Sequence, residues 1–496
     1  MCFFFHIVPR LREKNNSGIA LSVKSVYTVL TEKRHRKVQH MKKTSAGLRN
    51  MTTGSPAGHI LYFALPLLAG SFLQQMYNMV DSWVVGNFVG DAALAAVGVG
   101  FPVMFLFTSL FLGISNGGTV VIAQFYGAGQ THRVRDAVDT IYTTLLYAAV
   151  PLTAVALLLV SPLLRLLRVD ESCLQDARLY LLIVSGGLIG SIGYNINAGI
   201  LNGLGNSRTT LLFLAISAIT NTVLDLILVI FFHMGVAGVA IATVIAQLLS
   251  WLFGIFYINR HYPEAAIHPF SCRFDRELFR KVIGIGLPAG VQMSLVSVGA
   301  MTVMSQVNAY GEAYTAAFNV GNKLDSLAFL PAQSVSSAIT AFVGQNTGAR
   351  KPERVRQGIR VAVLMSAAWT VFSSALLVLG SDVLMGMFSQ SEEVIAVGSL
   401  YLRSIMPPYV LFAVMFCLNN AMRGAGDSMF PMVSTVTSMI VLRVPAVYLL
   451  AYFFGPRYMF WGYGIGWAVA LPITAAYYAS GRWKRFGLLE ADPVEE

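Results

Sequence analysis

Twelve apolar runs recur along the chain, at about residues 60–89, 94–125, 137–160, 179–202, 209–232, 236–257, 281–308, 314–345, 360–380, 398–421, 432–454 and 461–481. Each is long enough to cross a bilayer, which takes about 20 apolar residues in a helix. Backbone amides in hydrocarbon find no water, so such runs must satisfy themselves as helices. Short stretches rich in Gly, Asn and Arg separate them. Composition agrees, with 55% hydrophobic and 12% charged residues, about half the charge of an ordinary soluble domain. The expected class is an all-α polytopic membrane protein of twelve helices, several long enough to tilt.

The net charge of +11 is localised. Residues 1–58 hold eleven Lys/Arg against Glu13 and Glu32, and supply +9 of it. Ahead of a membrane span, such a patch reads as positive-inside retention rather than nucleic-acid binding. Beyond residue 50 the even-numbered loops and the C-terminus hold seventeen Lys/Arg, among them Arg133, Arg135, Arg354, Arg356 and Arg423. The odd loops hold four, Arg165, Arg168, Arg178 and Arg457. This bias predicts both termini in the cytoplasm of a multi-pass cell-membrane protein. Phe3–Val8 is too short for a signal-peptide core. Within a basic extension at 1–56, residues 1–50 match no element of the later pattern. They read as a disordered tail or, as we favour, residues ahead of a translation start at Met51 or Met41. Cys2, Cys173, Cys272 and Cys417 are dispersed, without metal or redox spacing.

The chain repeats itself. At a shift of 221, Gln124, Gly127 and Ala128 meet Gln345, Gly348 and Ala349, and Arg133-Val134-Arg135 meets Arg354-Val355-Arg356. The same shift pairs Gly203-x-Gly205-x-Ser207 with Gly424-x-Gly426-x-Ser428, and Leu65-Pro66 meets Leu287-Pro288 at 222. Matches in one register argue for duplication, and six spans per half make the repeats parallel. The expected organisation is an N-lobe at 57–260, a basic linker at 261–280 along the cytoplasmic surface, a C-lobe at 281–486 and a tail at 487–496.

A carboxylate at the bilayer centre costs about 3 kcal/mol on insertion scales, so a span that keeps one is a functional candidate. Asp81, Asp225, Lys323, Asp325 and Arg443 lie within spans. Counting from outer helix ends puts Asp81, Asp225 and Thr243 at a common depth of about 10–12 Å. Asn221 lies one turn from Asp225 on the same face. Two carboxylates, an amide and a hydroxyl thus converge in the first lobe. That oxygen set suits a hard cation, and paired carboxylates also hold one proton more tightly than either alone. Spacing leaves Na⁺ and H⁺ both open. Taken singly, Asn221 and Thr243 also read as interhelical hydrogen bonds, and Asp81 as a headgroup-level residue if its helix ends at Trp83. In the second lobe, Lys323, Asp325 and Arg443 lie about 14–16 Å deep. Lys323 and Asp325 do not share a helix face. Asp325 is expected to form a structural ion pair with Arg443, with substrate contact or gating as the alternative.

Gly186-x-x-x-Gly190, with Gly193, predicts close helix packing. Gly203-Leu204-Gly205 lacks the Lys-Ser/Thr ending of a phosphate loop. Tyr77 is a candidate wall for flat organic cations. The eight His form no zinc-type pair, and no Ser-His-Asp or paired acid/base cluster is evident. No enzyme activity, cofactor, nucleic acid or obligate protein partner is therefore expected.

Pro66…Gln74-Gln75-Met76…Val80-Asp81…Val85-Gly86…Ala92-Ala93-Leu94-Ala95-Ala96 resembles the first-span signature of the multidrug and toxic compound extrusion (MATE) family. Gly344-Gln345-Asn346-Thr347-Gly348-Ala349 and Gly203-x-Gly205-x-Ser207 resemble two further motifs. Asn221-x-x-x-Asp225, followed by Gly235 and Gly238-Val239-Ala240-Ile241-Ala242-Thr243, resembles its fifth and sixth spans. The resemblance covers about residues 57–486. It implies two six-helix lobes, a central cleft, and export of cationic or amphipathic drugs in exchange for H⁺ or Na⁺. The family's N-lobe cation ligands fall on Asp81, Asn221, Asp225 and Thr243. Another branch holds its cation on carboxylates of the seventh and tenth helices, where this chain offers Gln292 and no acid. Gln74, Tyr77, Gln292, Lys323, Asp325 and Arg443 are candidates for substrate contact or gating. A rival reading is a flippase for a lipid-linked or anionic precursor, with Lys323 and Arg443 attracting phosphate.

Overall fold

The computed structural model describes residues 48–488, save 167, 168, 170, 270 and 272, and only the backbone of 101 and 166. Most of the basic extension, Cys2, Arg168, Cys272 and the tail from 489 onward lie outside the described residues.

Helix starts follow local chemistry. Ser55 accepts from the Gly58 amide at 3.4 Å and Pro56 opens α1 (Pro56–Phe88), where a missing amide costs nothing. α2 (Asp91–Gly127) and α3 (Thr131–Leu166) follow. α4 (Glu171–Gly186) and α5 (Leu188–Gly203) form one span bent by 52°. α6 (Ser207–Asp225) continues as a π-helical turn, Leu226–Phe231, and α7 (Gly235–His261) ends the first half. Asp275 caps α8 (Arg276–Asn308) by accepting from the Glu277 and Leu278 amides at 2.8 and 3.1 Å. α9 (Glu312–Gly348), α10 (Pro352–Leu379) and the short α11 (Ser381–Gly386) come next. α12 (Glu392–Ile405) and α13 (Tyr409–Gly424) form a second span, bent by 51° where Pro407 and Pro408 interrupt it. α14 (Met429–Val436), a π turn Thr437–Leu442 and α15 (Arg443–Phe454) make one crossing, and α16 (Trp461–Ser480) makes the last.

Among the described residues ten helices are long and apolar enough to cross, or twelve with each bent pair counted once. All twelve expected spans find a helix, though the third, fourth, ninth and tenth start six to eight residues ahead of their apolar runs. In the fourth, Glu171, Asp176 and Arg178, and in the tenth, Glu392 and Glu393, make the added turns polar. The linker is shorter than expected. α8 begins at Arg276, which buries Leu278 and leaves Phe274 outside. The segment before it docks on α3, where Thr143 donates to the Arg273 carbonyl at 3.0 Å and the Asp275 amide donates to Thr140 at 3.2 Å. Of the packing glycines, Gly190 and Gly193 face Leu248 and Trp251 of α7. Gly186 faces nothing within 4 Å, and Gly187 takes its place against Val244.

The first helix of the second half packs chiefly on the first half, and that of the first half packs on both. α8 packs along α2, and α1 packs along α9. The repeated glutamines then cross between halves at the face carrying Arg133 and Arg354, here termed the basic face. Gln124 Nε2 donates to the Gly424 carbonyl at 3.1 Å, and Gln345 Nε2 donates to the Gly203 carbonyl at 3.2 Å. Both glutamines are fully buried. Beside them, a methyl on Gly127 would strike the Gln345 carbonyl, and one on Gly348 would strike the Gln124 carbonyl. The segments flanking the first and last helices plug the same place. The Met51 amide donates to Gln345 Oε1 and the Leu488 amide to Gln124 Oε1, each at 2.9 Å. Arg354 fastens the first plug by donating to the carbonyls of Met51, Thr53 and Gly54. The duplicated motif is thus a reciprocal latch that closes this face.

Candidate functional site

Proline and π distortions place polar groups in the opposite half of the N-lobe. α1 carries Pro66 inside it, and its distal part presents Gln74, Tyr77, Asn78 and Asp81 to a cavity of about 360 Å³. Tyr180 of α4 and Thr243 and Gln247 of α7 complete its polar wall. α6 brings Asn221 and Asp225, both fully buried, behind Asp81. The π turn starts directly after Asp225, a distortion that frees backbone groups and recurs at functional positions.

The carboxyl groups of Asp81 and Asp225 lie within direct reach of each other. Asn221 Nδ2 donates to Thr243 Oγ1 at 3.2 Å, which turns its carbonyl oxygen the other way. The result is a set of buried oxygens without a donor: Asp81 Oδ1, Asn221 Oδ1 and both oxygens of Asp225. Buried acceptors are almost always satisfied, and two facing carboxylates cannot both stay charged without a proton or cation between them. The donor set is hard oxygen only, and among the described residues no cluster of three His, Cys, Asp or Glu could hold a metal. The arrangement therefore suits a monovalent cation or a proton. The four residues singled out by depth are brought together.

The second-lobe candidates are not. Asp325 is buried, but its Oδ2 accepts from the Tyr401 hydroxyl at 2.7 Å. No Asp325–Arg443 ion pair within 4.0 Å exists among the described residues, which corrects the expected pairing. Arg443 instead lies over the Tyr463 ring, 4.7 Å from its centroid. A tyrosine hydroxyl can satisfy a buried carboxylate without bringing in a second charge to desolvate. Lys323 is exposed. Gln292 is buried and accepts from Arg423 Nη2 at 2.6 Å. Arg423 was counted as a loop charge, yet it is buried in the last turn of α13. Asp427, which sequence reasoning passed over, is also buried; it caps the Phe430 amide and accepts from Tyr477 at 2.7 Å. The repeat register held that signal, since Asn206, 221 residues earlier, caps the Thr209 amide in the same way.

Bent and π-distorted apolar helices in two pseudo-equivalent halves, with a polar cavity in one of them, define a two-lobed polytopic membrane-transporter fold. The MatE family profile matches residues 66–227 and again 288–449, two copies offset by 222 residues. Over 443 residues the chain is 30% identical to the "probable multidrug resistance protein YpnP" of Bacillus subtilis strain 168, covering 88% of this chain and 98% of that one. It is 24% identical over 449 residues to the FAD transporter of Shewanella oneidensis, covering 88% and 96%. A solved multidrug resistance MATE family transporter in an outward-facing conformation aligns with a TM-score of 0.81 and 22% identity over 89% of this chain and 98% of that one. The chain belongs to the MatE family of multidrug efflux transporters.

Proposed function

We propose that the protein is an antiporter that exports organic cations or cationic amphipathic drugs in exchange for H⁺ or Na⁺. The observation that carries this reading is the set of orphaned, buried oxygens on Asp81, Asn221 and Asp225 beside a cavity large enough for part of a drug. With the carboxyls vacant, the cavity attracts a cationic substrate. When a proton or Na⁺ occupies Asp81, Asn221, Asp225 and Thr243, that attraction falls and the substrate leaves. Only a ligand that binds two states differently can shift one into the other, and a shared carboxyl pair meets that condition. The positive-inside bias puts the latched face in the cytoplasm of the cell membrane and the cavity in the outer half. In this scheme residues 57–260 and 281–486 are the moving lobes, and opening the latch admits substrate from inside.

The test is dye efflux from proteoliposomes under Na⁺ and pH gradients imposed separately. A cationic dye should move against one of them, and Asp225→Asn should abolish that movement with the protein still folded. Unchanged efflux in the variant would refute the coupling role. A second reading, export of an anionic precursor, draws on the FAD-transporter relative and on Arg423 and Arg443, which are buried with no carboxylate at ion-pair distance among the described residues. It predicts transport of anionic dyes and not cationic ones. The cavity wall, with Asp81 and no Lys or Arg, favours the first reading.

A further inference from the structure

The two lobes meet along two pseudo-equivalent seams that are built differently. Along α2 and α8, Gly113 and Gly117 face Gly286 and Gly290 so closely that a methyl on either α2 glycine would enter the α8 backbone. Ser109 and Ser294 hydroxyls bond across this seam at 2.7 Å. Such small-residue contacts let helix backbones touch. In the repeat register, Gly286 and Gly290 become Ala64 and Leu68 of α1, and Gly113 and Gly117 become Ser334 and Ala338 of α9. At those positions α1 and α9 pack in a buried cluster that includes Ala64 and Ala338; beyond it the two helices diverge. A cavity of about 340 Å³ opens between them, with α6 as its third wall.

The lining of this seam cavity is unusual for mid-span positions. Its polar groups are Ser71, Gln74, Gln75, Thr210 and Gln333, and it holds no Asp, Glu, Lys or Arg. Gln74, Gln75 and Gln333 replace Val296, Ser297 and Leu112 of the glycine-closed seam. Gln74 and Gln333 are exposed near the middle of α1 and α9. Amides there cannot be left to hydrocarbon, which offers no hydrogen-bond partner; they need water or a ligand. Gln74 also lines the acidic cavity, so the two spaces adjoin.

We propose that the α1–α9 seam is a second substrate subsite, which takes the uncharged, hydrogen-bonding portion of an amphipathic cation whose charged head sits beside Asp81. This rests on the reading of the acidic cavity as the cation site. The neutral amides favour carbonyl, amide, hydroxyl or ether groups and give a second charge no counterion. Because Leu330 and Gln333 come from one lobe and Ser71, Gln74 and Thr210 from the other, any lobe movement changes this subsite. A tail bound there distinguishes the two states, as a driving ligand must.

The test uses two probes on the purified full-length protein: tetramethylammonium as the head alone, and trimethylammonium bearing a dansylamidopropyl tail. Gln333→Leu removes an amide, and Leu330→Trp fills the seam. Each should weaken the tailed probe about tenfold and leave the head-only probe unchanged. Two variants of opposite design, each checked for its thermal midpoint, keep the test independent of one failing to fold. Asp81→Asn should weaken both probes. If it does so while neither seam variant separates the probes, the seam assignment is overturned and the cation reading stands. If Asp81→Asn changes neither probe, the cation reading falls and takes the seam assignment with it.

Discussion

The N-lobe cavity and its counterpart in the C-lobe share a frame and have opposite contents. Tyr180 lines the first; Tyr401, 221 residues on, fills the second and bonds to Asp325, which stands where Met104 lines the N-lobe cavity. Asp81 has Val303 as its counterpart, and Asp225 stands against Ala446 and Val447. Phe318, Tyr401, Tyr409, Phe412, Phe460 and Trp467 pack the C-lobe interior. In one lobe the acids keep orphaned oxygens beside a cavity; in the other the acid is met by a tyrosine and packed in. A duplicated backbone therefore did not duplicate the chemistry. The Asp325 carboxylate has its acceptor met by a tyrosine in a packed core, whereas Asp81 and Asp225 meet each other with orphaned oxygens beside a cavity, as the proposed ion exchange requires.

The contrast breaks if Asp225→Asn and Asp325→Asn behave alike. The first should reduce gradient-driven efflux to background at normal expression. The second should leave the ion dependence of efflux unchanged and lower the thermal midpoint in detergent. The next largest effect should come from the latch. Gly348→Val drives a side chain into the Gln124 backbone, so the basic face should stay ajar. A cysteine placed at Thr347 should then label from that face several times faster than in the parent background. Tyr401→Phe removes the hydroxyl that satisfies Asp325. A buried bond to a charged group contributes about 1.5–3 kcal/mol, which unfolding of the purified variant should register without loss of transport. The smallest effect should follow Gln124→Ala or Gln345→Ala alone. Each removes one donated and one accepted bond between the halves, worth about 1 kcal/mol apiece. The double variant should loosen the face at least as much as the two singles summed, because each latch holds the other in register.

Much of this was legible beforehand, for identifiable reasons. The apolar runs located every span because lipid imposes one length and one secondary structure. Helical rise turned residue counts into depth, which gathered Asp81, Asp225 and Thr243, and the shared helix face added Asn221. The same method put Asp325 and Arg443 at one depth and wrongly joined them, since depth says nothing about the direction a helix face points. Arg423 was misread because a charge beside glycines resembles a loop, although Gln292 and Asn420 are there to bond it. The bends at Gly187 and at Pro407-Pro408 change the direction of a span without changing its hydropathy.

The sequence alone determined the all-helical class, the crossings, the duplication and the residue types able to hold a cation. These follow from local quantities: hydropathy, rise per residue and the cost of a buried charge. Tertiary structure alone decided that Gln124 and Gln345 cross to opposite lobes, that Tyr401 rather than Arg443 answers Asp325, and that glycines close one seam while glutamines line the other. Those outcomes depend on how closely two backbones approach and which side chain first reaches a buried polar group. Both are set by packing between segments some 200 residues apart, and no stretch of sequence read alone carries them.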